Sequence, residues 1–231
     1  MAAIYLIRHG QASFNSDNYD QLSPTGEKQA QALGVALSKR GIQFDAVYAG
    51  SMKRHAQTAR GCLEAMGCSI APTIIEGFNE YDHEEVIHRH RPEFANKLQL
   101  AEYLSKHSNP RKAFQIEFEL ALHRWRIGDY DSEYTETWEH FNTRCKDALS
   151  HVRHNSGDAK SIAVFSSGGP ISIAVGHCLE LTDEHVAELS WSIINASVTC
   201  LLFNEDKMTL RYFNDYSHFE YGEDKSLFTY R

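Results

Sequence analysis

The sequence predicts an α/β fold, a three-layer sandwich with a mixed, mainly parallel sheet and helices on both faces. Three observations lead there. Short apolar runs at 2–7 (AAIYLI), 44–50 (FDAVYAG) and 161–166 (SIAVFS) lack the polar alternation of half-exposed strands, as expected for strands buried on both faces. Segments of helical periodicity alternate with them, which is the pattern of a parallel sheet with crossover helices. The 231 residues, 42% hydrophobic and 23% charged, suffice for one domain with a sizeable core.

The first run ends at Arg8-His9-Gly10, and a polar loop follows to Ser23. Ser23-Pro24 supplies an N-cap and a first helical residue. That helix is expected to reach about Arg40, with Ala30, Leu33, Ala36 and Leu37 on one face and Gly41 as its stop. A second buried strand at 44–50 and a second helix at 52–66, closed by Gly67, come next, then a third strand at 69–77. The segment 81–137 is polar and lacks strand runs. It is expected to be a helical insertion, or lid, on a single domain 1–231, with helices near 93–107 and 111–127 split at Ser108-Asn109-Pro110 and a loop at 126–135. A helix at 136–154, the strand 161–166 and a helix from Ser167-Gly168-Gly169-Pro170 to Leu179 resume the alternation. Residues 197–204 and 207–214 predict an antiparallel hairpin at a sheet edge. The run SVTCLLF within it either pairs with a second copy, giving a homo-oligomer, or is covered. The last 17 residues carry no assignable pattern.

Composition narrows the function. The net charge of −8 argues against a non-specific nucleic-acid binder or a polybasic membrane-surface protein. The five cysteines show neither metal-ligand nor redox spacing, so free thiols in a reducing compartment are expected. MAAIYLIRHG has no basic n-region, and no run of 18 apolar residues occurs, so neither a signal peptide nor a membrane span is expected and a cytoplasmic location is inferred.

Open α/β sheets bind ligands beyond the carboxyl ends of their strands. Those ends carry Arg8-His9-Gly10, Gly50-Ser51 with Arg54 one turn on, Glu80 after the third strand, and Ser166-Ser167-Gly168-Gly169. Guanidinium groups suit phosphate oxygens, and so does the helix N-terminus after Ser167. A neutral imidazole is a nucleophile toward phosphorus. A carboxylic acid can protonate the leaving oxygen. Together they suggest phosphoryl transfer through a phosphohistidine. No GK[ST] follows a glycine loop, which removes a P-loop site, and the first glycine of a G-x-S-x-G nucleophile elbow is missing before Ser166 or Ser167.

Arg8-His9-Gly10-Gln11 with Asn15, LSPTGEKQA (22–30), YAGSMKRHAQTA (48–59) and FNEYD (78–82) resemble the histidine phosphatase, or phosphoglycerate mutase-like, superfamily. The resemblance implies His9 as the phosphorylated nucleophile, Arg8 and Arg54 as phosphate clamps, and Glu80 as general acid and then base, with Asp82 the alternative. It also implies a substrate-binding role for Asn15, and no metal or cofactor. The partner so implied is a small phosphorylated substrate. His55, next to Arg54, is expected to point away from the site. The family pattern ends its fourth strand Ser-His-Gly, whereas Ser167 stands at the histidine position here, followed by Gly168. Loss of one preorganised donor costs roughly 3–4 kcal/mol, and Ser167 with the Gly168 N–H can recover part of it. The expected function is a phosphatase that hydrolyses a small phosphomonoester through phospho-His9, with two alternatives: a weak or inactive phospholigand-binding or regulatory protein of the same fold, and a mutase-type transferase. Ser167→His is expected to raise activity if the serine has simply replaced the histidine.

Overall fold

The computed structural model describes residues 1–13, 20–221 and 225–230. Asn15 lies outside them. Two compact units result, 1–80 with 144–231, and 81–143.

The first unit holds a six-stranded sheet of order β3-β2-β4-β1-β5-β6. Its strands are β1 (Ala2–Arg8), β2 (Ala46–Ala49), β3 (Thr73–Ile74), β4 (Ser161–Ser166), β5 (Val198–Phe203) and β6 (Met208–Asp215). β1, β2, β3 and β4 are mutually parallel, and β5 pairs antiparallel with both β1 and β6. The expected mixed, mainly parallel sheet is therefore present. β1 and β4 are central, which explains their unbroken apolar runs. Ala3, Tyr5, Ile7, Ala163 and Phe165 pack with Leu33, Leu37, Cys62 and Leu63 on one face. Ala2, Ile4, Leu6, Ile162 and Val164 pack with Leu149, Val152, Ile171 and Ala174 on the other.

The first face is covered by α1 (Pro24–Lys39) and α2 (Lys53–Met66), and the second by the end of α6 (Trp138–Asn155) and by α7 (Gly168–Leu179). α1 starts as its sequence indicates: the Ser23 hydroxyl accepts from the Gly26 N–H, and Pro24 needs no partner. Gly41 and Gly67 follow the ends of α1 and α2 at φ +69° and +68°, a region that favours glycine.

The hairpin is found, but SVTCLLF is not the edge: β6 covers β5, and β6 is the outer strand. The third strand differs more. Only Thr73 and Ile74 pair, with Tyr48 and Ala49, and both are exposed. Pro72 lacks an N–H and precedes the pair on the sheet edge, where such a residue is tolerated but extends no ladder. α8 (Asp183–Ser192) carries no sequence expectation, because only Val186 of its face is buried.

Residues 81–143 are helical as expected. They include α3 (His83–His90), α4 (Lys97–Ser105) and α5 (Pro110–Arg126), then the first turns of α6. α3 escapes a periodicity search because only Val86 and Ile87 are apolar, though Asp82 caps it through the Glu84 and Glu85 N–H groups. Trp125 packs against Tyr81, Trp138 and Phe141. Glu117 accepts from the Arg91 guanidinium at 2.9 and 2.7 Å and from the Tyr103 hydroxyl at 2.7 Å. All five cysteines are free thiols. Among the described residues no helix is long and apolar enough to cross a membrane.

α1 and α2 meet at Gly34, where a Cβ would lie 2.2 Å from the Cys62 carbonyl oxygen. Gly34→Ala is therefore expected to cost roughly 1–3 kcal/mol by overpacking against backbone. Thermal unfolding should show this as a Tm lowered by several degrees. An unchanged Tm would mean that the two helices part freely.

Candidate active site

Backbone hydrogen bonds carry the parallel ladder one residue past the strand ends. The His9 N–H donates to the Ser166 carbonyl at 2.9 Å, and the Gly50 N–H to the Phe165 carbonyl at 3.0 Å. Residues 9, 50 and 167 are thereby aligned across β1, β2 and β4. The His9 carbonyl accepts from the Ala196 N–H and the Asn195 amide, both at 3.2 Å.

The His9 ring is buried, with Nδ1 2.7 Å from the Gly10 carbonyl oxygen. A carbonyl only accepts, so Nδ1 carries the ring proton and Nε2 the lone pair. Burial, then the guanidiniums of Arg54 and Arg8, then His55, lower its pKa well below the usual histidine value. The ring is thus neutral at pH 7. Gly10 permits this turn because a Cβ there would meet the Gly26 carbonyl oxygen at 2.5 Å. The Gly10 N–H donates to the Thr58 hydroxyl at 3.0 Å, which donates in turn to the Arg54 carbonyl at 2.7 Å. That chain ties the loop after β1 to the first turn of α2.

Both arginines are held in place. Arg8 Nη1 donates to the carbonyls of Ile193 and, at 2.8 Å, Tyr230. Arg54 is buried, and its Nη1 lies 3.0 Å from Asp20 Oδ1. The second Asp20 oxygen accepts from the Lys53 N–H at 2.8 Å, so this loop carboxylate also caps α2.

Glu80 follows a pinned loop. The Arg144 guanidinium donates to the carbonyls of Gly77 and Asn79 at 3.1 and 2.8 Å, and the Ser166 hydroxyl to that of Phe78 at 2.8 Å. Asn79 exchanges hydrogen bonds with Ser51, both at 2.8 Å. The Glu80 carboxylate accepts from the Gly169 N–H at 3.1 Å, in the first turn of α7. A methyl group at Gly168 would stand 3.9 Å from Arg8 Nε, so this helix start lies beside the Arg8 guanidinium. Ser167 occupies the N-cap position of α7 but makes no capping bond. Its hydroxyl lies 2.7 Å from His55 Nε2 instead.

The structure therefore brings Arg8, His9, Arg54, Glu80, Ser167 and Gly168 to one end of the sheet. Asn15 lies outside the described residues. His55 corrects an expectation. It is fully buried, and its ring centroid lies 5.8 Å from that of His9. Consecutive helical residues usually diverge, but the first turn of α2 abuts the strand ends, so both Arg54 and His55 face them. Asp20 was missed because a lone carboxylate in a polar loop carries no positional signal. Among the described residues no cluster of three or more His, Cys, Asp or Glu side chains is arranged to hold a metal ion.

Residues 4–117 and 107–216 match the profile of the histidine phosphatase superfamily, branch 1. The chain belongs to that superfamily. Curated relatives include a 2,3-bisphosphoglycerate-dependent phosphoglycerate mutase of Sinorhizobium fredii, 32% identical over 90 residues that cover 36% of this chain and 43% of the relative. A broad-specificity phosphatase of Saccharomyces cerevisiae is 32% identical over 105 residues, covering 38% and 46%. The chain thus spans less than half the length of these relatives. Among solved structures, a phosphoglycerate mutase from Bacillus anthracis superposes with a TM-score of 0.66 at 18% identity, covering 96% of this chain and 97% of that one. A phosphoserine phosphatase variant from Entamoeba histolytica, in complex with phosphoserine, gives 0.64 at 16% identity, covering 94% and 99%. Members and neighbours of this superfamily are thus phosphatases or mutases, and the shared fold is the phosphoglycerate mutase-like one.

Buried neutral histidines make stability sensitive to acid. Burial, ahead of nearby guanidiniums, also lowers His55 to about 3 and His218 to about 4. The unfolded chain takes up these protons near pH 6.5 and the folded chain does not. Stability is therefore complete above about pH 6.5 and is lost as the pH falls toward the folded-state values. Urea unfolding should show a loss of up to about 1.4 kcal/mol per pH unit for each ring across that window. A stability flat from pH 6.5 to 5 would contradict the neutral assignment.

Proposed function

We propose that the protein is a phosphatase that hydrolyses a small phosphomonoester through a phosphohistidine on His9. The observation that carries this reading is the Nδ1–Gly10 hydrogen bond in a ring kept neutral by burial and two guanidiniums, which leaves Nε2 as an unprotonated nucleophile. Nε2 attacks phosphorus while the P–O bond to the leaving group breaks, and Glu80, entering as the carboxylic acid, gives its proton to the departing oxygen. The positive charge formed on the imidazole is shared through Nδ1–H with the Gly10 carbonyl. In the second step Glu80, now a carboxylate, takes a proton from water as that water attacks phosphorus. The P–N bond breaks, inorganic phosphate leaves, and Glu80 is a carboxylic acid again. Arg8 and Arg54 hold the non-bridging oxygens throughout, and the α7 N-terminus at Gly168 adds backbone N–H groups.

The net charge of −8 is the wrong sign for nucleic acid or an anionic membrane as partner, whereas a small anion needs only the local arginine pair. Hydrolysis fits this pocket better than mutase chemistry because Ser167 brings no cationic imidazole of its own to hold a long-lived phosphohistidine.

Turnover of an aryl phosphate by wild type and His9→Ala tests this reading. Wild type should hydrolyse the ester and form an acid-labile phosphoenzyme on quenching, and His9→Ala should do neither. Arg54→Ala should lose about 10²–10³ in kcat/KM. Glu80→Gln should lose about 10²–10⁴ with poor leaving groups and far less with good ones. Equal rates in wild type and His9→Ala, with inorganic phosphate still bound, would sink the phosphatase in favour of a binding protein.

A further inference from the structure

The chemistry above leaves one pair of side chains unused. Ser167 and His55 are both fully buried, come from different elements, and make a side-chain hydrogen bond of 2.7 Å one residue beyond the carbonyl that receives the His9 N–H. Space has been cleared for it: a Cβ on Gly50 would lie 2.3 Å from His55 Nδ1 and 2.7 Å from Asn79 Oδ1. His55 Nδ1 lies against the Gly50 backbone, whose carbonyl acts on the ring as an acceptor and raises its pKa against the effect of burial. Burying an imidazole is costly unless both nitrogens are matched, and an apolar residue in the first turn of α2 would avoid that cost. Packing alone therefore does not account for the pair.

We propose that His55 and Ser167 form one hydrogen-bonded unit of the phosphate pocket, in which His55 aims the Ser167 hydroxyl at the phosphoryl group on His9. The proposal rests on the phosphatase reading, since it assumes that phosphate occupies this pocket. Phosphoryl oxygens only accept hydrogen bonds, so with an ester in place the Ser167 O–H must donate to phosphate. Its oxygen can then accept from His55 Nε2–H, 2.7 Å away. With phosphate bound, the ring therefore holds a proton on Nε2, while Nδ1 stays against the Gly50 backbone. Ser167 touches the substrate, and His55 is a positioning residue that fixes the direction of the hydroxyl. Glu80, which sits on the neighbouring Gly169 N–H, is the group an incoming dianion displaces to reach the hydroxyl.

This arrangement reverses the outcome expected for Ser167→His. His55 already fills the space, so an imidazole at 167 is expected to collide with it and weaken phosphate binding, and to be tolerated only when His55 is shortened.

Calorimetric binding of inorganic phosphate, with thermal melts as a check on folding, tests the proposal. Ser167→Ala and His55→Leu should each weaken phosphate about 10–100-fold, the worth of one hydrogen bond to a charged group. The double variant should be no weaker than either single one. His55→Gln places an amide N–H near the position of Nε2 and should retain most of the affinity, which a purely space-filling role does not predict. His55→Ala with Ser167→His should recover binding lost in Ser167→His alone. Additive losses, or a His55→Leu protein that is folded and binds like wild type while Ser167→Ala does not, would overturn the unit and leave the phosphatase reading standing. A wild type that binds no phosphate would overturn both.

Discussion

The site depends on the pairing of two parallel strands at the centre of the sheet. β1 and β4 run in register to Arg8 and Ser166, and the next N–H, that of His9, still finds a carbonyl on β4. This one further hydrogen bond holds the His9 backbone while its side chain leaves the sheet. The Ala196 and Asn195 donors fix the His9 carbonyl from the other side, so the residue is clamped between β4 and the segment that leads into β5. A ring on such a backbone can be held in one tautomer by one carbonyl, that of Gly10. On a mobile loop the same ring would sample many orientations, whereas here its backbone and Nδ1 are both anchored.

The electrostatics follow from the same placement. The chain carries a net charge of −8, yet His9 lies among positive groups, because Arg8 ends β1 and Arg54 opens α2 at the same edge of the sheet. Each guanidinium is oriented before any ligand arrives, Arg54 by Asp20 and Arg8 by the carbonyls of Ile193 and Tyr230. Donors held in this way need no reorientation to meet an anion. The contact at Tyr230 also gives the C-terminal segment a role. Gln29 donates to the Leu227 carbonyl and the Thr229 hydroxyl, and the Asn195 N–H to the Thr229 carbonyl, so that segment is tied to α1 and to the anchor of His9 at once.

The sequence by itself determined the sheet and most of its helices. AAIYLI and SIAVFS lie at the centre because an apolar run without alternation is stable only with both faces buried. Ser23-Pro24, Gly41 and Gly67 mark helix ends by local chemistry that needs no tertiary partner. The same locality explains the failures. Thr73–Ile74 is a two-residue exposed edge because pairing depends on what lies beside a strand, and α3 and α8 bury too little apolar surface to leave a period. At the site, Arg8, His9, Arg54 and Glu80 were legible because strand ends and motif spacing point to one end of the sheet. The tertiary structure alone decided how His55 is used. The face a first-turn residue presents depends on where the helix docks, and docking α2 against the strand ends, with Gly50 bare beneath it, sets the Ser167 hydroxyl against a buried imidazole.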